Sequence, residues 1–86
     1  MPETIRSPRQ LLLVQRITEA RKEAGLTQAE LASQFGKHQP FIANIESGQR
    51  RVDLVELIEL ADVIGLDLHR IIEDLKSLPA GPRTTT

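Results

Sequence analysis

The sequence predicts an all-helical domain of five helices. Five successive segments repeat apolar residues at the spacing of one helix face. Each opens on a side chain suited to capping or on a helix-starting pattern, and the first four close on a glycine. No segment alternates apolar and polar residues with period two, so no strand is expected. Eighty-six residues make one domain and leave no room for a second.

The first helix opens at Ser7-Pro8-Arg9-Gln10, with serine as N-cap, proline in the first turn and glutamine completing a capping box. Leu13, Ile17, Ala20 and Ala24 follow on one face, and Gly25 ends the helix in the left-handed conformation. Thr27-Gln28-Ala29-Glu30 is a second capping box, opening a short helix with Leu31, Ala32 and Phe35 inward and Gly36 as its stop. The third helix runs from about His38 or Gln39 to Ser47, with Ile42 and Ile45 inward and Gly48 beyond it. Pro40 falls in its first turn, where a missing N–H costs little. Asp53 caps the fourth helix, whose inward stripe reads Leu54, Leu57, Ile58, Ala61 and Ile64 before Gly65. Asp67 caps the fifth, which carries Leu68, Ile71, Ile72, Leu75 and Leu78. Residues 1–6 and 79–86 are expected to be flexible ends around a domain of residues 7–78.

Apolar residues form 40% of the chain and charged residues 27%, proportions that argue against disorder. The opening residues Met1 to Arg6 lack the apolar run of a signal peptide, and Leu11 to Val14 is too short to span a bilayer. A cytoplasmic protein without membrane contact is expected. With no cysteine there is neither a disulfide framework nor a thiolate metal site. His38 and His69 have no ligand-like spacing with acids, and no nucleophile–base set or phosphate-cradling glycine loop stands out. The expectation is a non-enzyme without metal or cofactor.

The net charge of −1 is low for a nucleic-acid binder, but it is unevenly placed. Residues 1–51 hold eight basic and five acidic side chains, a net of +3; residues 52–86 hold three and seven, a net of −4. A one-sided anionic partner is served by such a split.

Two short helices flanking Gly36, the second polar on its outer face, form a helix-turn-helix pattern. Leu26-Thr27-Gln28-Ala29-Glu30-Leu31-Ala32, then Gly36, then Gln39-Pro40-Phe41-Ile42-Ala43-Asn44-Ile45-Glu46-Ser47-Gly48-Gln49-Arg50-Arg51 resembles the Cro/C1-type (XRE-like) helix-turn-helix family of phage repressors and small bacterial regulators. The resemblance covers roughly residues 11–75. It implies a five-helix, lambda-repressor-like DNA-binding domain whose helix-turn-helix is formed by helices 2 and 3, with the third helix in the major groove.

That resemblance assigns expected roles. Gln39, Pro40, Phe41 and Asn44 would face base edges, the amides toward adenine and the ring toward a thymine methyl. Gln28, Lys37, His38, Ser47, Gly48, Gln49, Arg50 and Arg51 would meet phosphates, through backbone N–H groups in the Ser47–Gln49 stretch. Arg21 and Glu46 would form a structural ion pair between the first and third helices. This chain departs from the family pattern at Lys37, usually apolar, at His38, usually a Ser or Thr cap, and at Pro40, often a polar base reader.

A single helix-turn-helix reads few base pairs, so a homodimer on an inverted repeat is expected. Its surface is expected on the last two helices, at Val55, Leu60, Val63, Leu68, Ile71, Ile72 and Leu75, residues in excess of what one core stripe requires. The function expected is a sequence-specific double-stranded DNA-binding regulator, acting as a repressor. An alternative uses the same fold to bind a protein partner, as an antitoxin covering a toxin or as an anti-activator.

Overall fold

A computed structural model describes residues 7–79. The expected flexible ends lie outside these residues, except for Pro79. Five α-helices follow one another: α1 Pro8–Glu23, α2 Gln28–Ser33, α3 Gln39–Glu46, α4 Leu54–Ile64 and α5 Leu68–Lys76.

Local chemistry sets these boundaries. The Ser7 hydroxyl accepts from the Gln10 N–H at 3.2 Å and opens α1. Thr27 with Glu30, and Asp53 with Glu56, form complete reciprocal capping boxes at α2 and α4. The Asp67 carboxylate caps α5 through the Arg70 N–H. His38 stands at the N-cap of α3 but makes no capping hydrogen bond, consistent with its departure from Ser or Thr. Gly36 turns the chain between α2 and α3 at φ +66°, a conformation that a Cβ disfavours.

The helices enclose one core of Leu13, Ile17, Leu31, Ala32, Ile42, Ile45, Leu60, Ile64 and Ile71. Helices α2 and α3 pack most closely on each other, while α1 lies against α3, α4 and α5. Two polar ties fasten α5 and the residues just after it to α1. Arg16 meets Asp74 at 2.7 Å, and the Arg9 Nε–H donates to the Leu78 carbonyl at 3.1 Å.

The inward stripe of α4 differs from the one expected. Leu57, Leu60, Ala61 and Ile64 face the core, whereas Leu54 is 68% exposed and Ile58 is also exposed. Apolar residues occupy eight of the eleven α4 positions, so periodicity alone leaves the helix free to rotate. Two residues expected on a dimer surface are core residues for the same reason: Leu60 is 1% exposed and Ile71 3%. Both are covered within the chain and are unavailable to a partner. Val63 and Leu75 are half-buried against that core, and Leu68 is half-buried. Val55 and Ile72 are exposed as expected.

Candidate nucleic-acid interface

Helix α3 is anchored from its inner side by a chain of four polar residues. The Arg21 guanidinium of α1 donates to both Glu46 carboxylate oxygens, at 2.6 and 3.0 Å, and to the Leu26 carbonyl at 2.8 Å. Both side chains are nearly buried, 9% and 8% exposed, so the pair is largely shielded from solvent and charge-assisted in both halves. Glu46 Oε1 also accepts from Gln28 Nε2 at 2.8 Å. Because a carboxylate only accepts, this bond orients the Gln28 amide, with Oε1 turned the other way. That oxygen accepts from Gln39 Nε2 at 2.7 Å. Three helices thereby determine where the first side chain of α3 points. Gln28 therefore acts as a brace from within the fold, while Gln39 keeps its own oxygen and one amide hydrogen for an external ligand.

Gln39, Pro40 and Asn44 are exposed along the outer face of α3. Pro40 sits in the first turn of α3, a position that helices tolerate. The backbone of Asn44 organises the following turn, since its carbonyl accepts from the Gln49 N–H at 2.9 Å and the Arg50 N–H at 3.0 Å. The Ser47 and Gly48 N–H groups donate to Ala43 and Ile45 carbonyls. The backbone donors of this stretch, expected to meet phosphates, are thus engaged inside the protein. The Ser47 hydroxyl also donates to the Asn44 carbonyl, at 3.3 Å, which leaves the exposed Gln49 side chain for that role.

Phe41 is half-buried against the core, and two cations approach its ring, the Arg50 guanidinium at 4.7 Å and the Lys37 ammonium at 5.7 Å from the ring centre. Lys37 thus lies beside the ring on the exposed side of the turn. Arg50 is held further by a two-pronged ion pair with Glu56, at 3.0 and 2.8 Å, and donates to the Arg51 carbonyl at 2.9 Å. The hydrogen bond from Arg50 holds the Glu56 carboxyl below the usual glutamate range, and the same bond raises the arginine. The ion pair with Glu56 was not foreseen.

A lowered carboxyl contributes stability above its unfolded value, about 4.3 for glutamate, and that contribution fades as pH falls through the folded value. Glu56→Gln should therefore be less stable than the wild type at pH 7, and the gap should narrow as pH drops below about 4.3. Urea denaturation followed by circular dichroism at several pH values checks this.

Among the described residues no group of three or more His, Cys, Asp or Glu is placed to hold a metal ion. No helix among them is long and apolar enough to cross a membrane.

Known proteins are similar to this chain. The helix-turn-helix family model matches residues 17–71, which takes in α2, α3 and α4 with the end of α1 and the start of α5. An HTH-type transcriptional regulator, y4dJ, of Sinorhizobium fredii is 32% identical over 63 residues, covering 73% of this chain and 82% of that protein. A solved XRE-family-like protein from Pseudomonas syringae pv. tomato superposes with a TM-score of 0.71 at 35% identity, over 80% of this chain and 84% of that one. The family is one of transcription factors and is not an enzyme family. With a helix-turn-helix braced in this way and relatives of this kind, the chain belongs to the XRE, or Cro/C1-type, family of helix-turn-helix DNA-binding transcriptional regulators.

Proposed function

We propose that this protein is a sequence-specific repressor that binds double-stranded DNA as a homodimer on an inverted-repeat operator. The observation that carries this reading is the chain Arg21–Glu46–Gln28–Gln39, which holds Gln39 at the start of α3 before any ligand arrives. Pre-set donors and acceptors lose less freedom on binding. Gln39 and Asn44 read adenine edges, and Phe41 meets a thymine methyl. Pro40 packs on the groove wall beside them. Gln28, Lys37, His38, Gln49 and Arg51 approach the phosphates.

Two copies meet through the exposed apolar residues Leu54, Val55 and Ile58 of α4, with Ile72 of α5. This keeps Val55 and Ile72 of the expected surface and drops the buried Leu60 and Ile71. Repression needs only occlusion of the operator.

A shallow groove of about 560 Å³ supports a second reading, capture of a protein partner such as a toxin. Phe35, Leu60 and Val63 form part of its wall, with Glu59 and Asp62 also lining it.

The deciding experiment is selection of duplexes from a random library by the purified protein at near-physiological salt. Enrichment of an inverted repeat with half-site centres roughly 34–36 Å apart is expected. A folded protein that enriches nothing would overturn the DNA reading in favour of a protein partner.

A further inference from the structure

We propose that Arg50 is a positioning residue for Phe41, and so sets the base preference at the position this ring meets, while Glu56 keeps the guanidinium from phosphate. The inference rests on the DNA-reading proposal above and deepens it.

Arg50 lies at the junction of three elements. Its edge is engaged by the Glu56 carboxylate at the start of α4 and by the Arg51 carbonyl, and its centre lies 4.7 Å from the Phe41 ring centre on α3. A planar guanidinium held along its edge has little freedom to reorient, unlike the flexible point charge of a lysine. Glu56 is itself fixed, because its Oε1 accepts from the Asp53 N–H at 3.1 Å and its own N–H donates to Asp53 at 2.7 Å. Lys37 approaches the same ring, and Phe35, Leu60 and Val63 line the groove that Phe41 helps to form. The angle of a ring on the recognition helix is therefore set from the N-terminus of α4.

Charge separates this role from phosphate binding. A carboxylate already balances Arg50, and moving the guanidinium to a phosphate would leave Glu56 uncompensated beside a polyanion. The pair as a whole adds almost nothing to counterion release. A true phosphate contact would contribute about 0.9 to the slope of log K against log salt.

The test uses Arg50→Gln, Arg50→Lys and Glu56→Gln in the full chain. Base preference at every operator position is measured by duplex selection, and the salt slope by titration. Arg50→Lys should leave the slope near its wild-type value, and Arg50→Gln should lower it because Glu56 is left unbalanced; both should relax preference at one position per half-site by roughly two- to fivefold, the range of an exposed cation–π contact. Glu56→Gln retains a residue suited to the capping box. It should release Arg50, steepen the slope by about 0.9 per subunit and relax the same position. Melting curves verify folding of each variant.

An unchanged base profile in the Arg50 variants overturns the proposal whatever the slope does, and a loss of about 0.9 in slope with that profile intact makes Arg50 a phosphate contact. Failure of the wild type to enrich any duplex is a different result. It defeats the DNA reading itself, and this inference with it.

Discussion

Glu46→Ala should lower stability by about 3–5 kcal/mol, because it strands a nearly buried guanidinium. Arg21 would keep only the Leu26 carbonyl among its present partners. For a domain of this size such a loss corresponds to a fall in melting temperature of roughly 12–40 °C, and a small domain has only about 5–15 kcal/mol to lose. Urea denaturation followed by circular dichroism measures it. The pairing itself need not be the stabilising element, since an apolar pair often replaces a buried ion pair at little cost. Arg21→Met combined with Glu46→Leu should therefore recover much of the stability. Operator affinity should stay low in that double variant, since Gln28 loses the carboxylate that orients it. Full recovery of DNA binding would show that Glu46 serves only the fold. A loss below about 1 kcal/mol for Glu46→Ala would show that water reaches Arg21.

Gln39→Ala with Asn44→Ala should leave the fold intact and weaken operator binding by about 2–6 kcal/mol, the sum of two bidentate base contacts at about 1–3 kcal/mol each. Both side chains are exposed, so neither removal opens a cavity. Of the two, Gln39 alone donates to Gln28, and its loss should leave the Arg21–Glu46 pair in place. The loss should be confined to specific sequence, with binding to random duplex and the salt slope little changed. Equal weakening on operator and random DNA would mean that these residues act on the backbone. No weakening at all would remove α3 from the binding surface.

Helix boundaries were legible because they depend on chemistry local to a few residues. Ser7, Thr27, Asp53 and Asp67 cap as their types require, and Gly36 and Gly65 take the positive φ that stops a helix. The rotation of α4 was not legible. Leu54 and Leu60 are the same residue type, and only packing against α1 and its neighbours decides which is covered. At the site, the Arg21–Glu46 pair could be anticipated from the resemblance, whereas Arg50–Glu56 could not. Its arginine lies in a loop, and a charged loop residue gives no sign of whether a carboxylate or solvent will claim it. The phosphate role expected for the backbone of Ser47 to Gln49 missed the Asn44 carbonyl, which gathers two of the following N–H groups to itself.

The ties from Arg16 to Asp74 and from Arg9 to Leu78 have a consequence for synthesis. Translation delivers α2 and α3 early, and their mutual contacts are close in sequence, so the reading unit can collapse while the chain is still growing. Helix α1, made first, waits longest for its cover, because Ile71, Asp74 and Leu78 are among the last described residues to emerge. A ribosome that stopped near residue 66 would release α1 with its α5-facing side bare and Arg16 without its carboxylate.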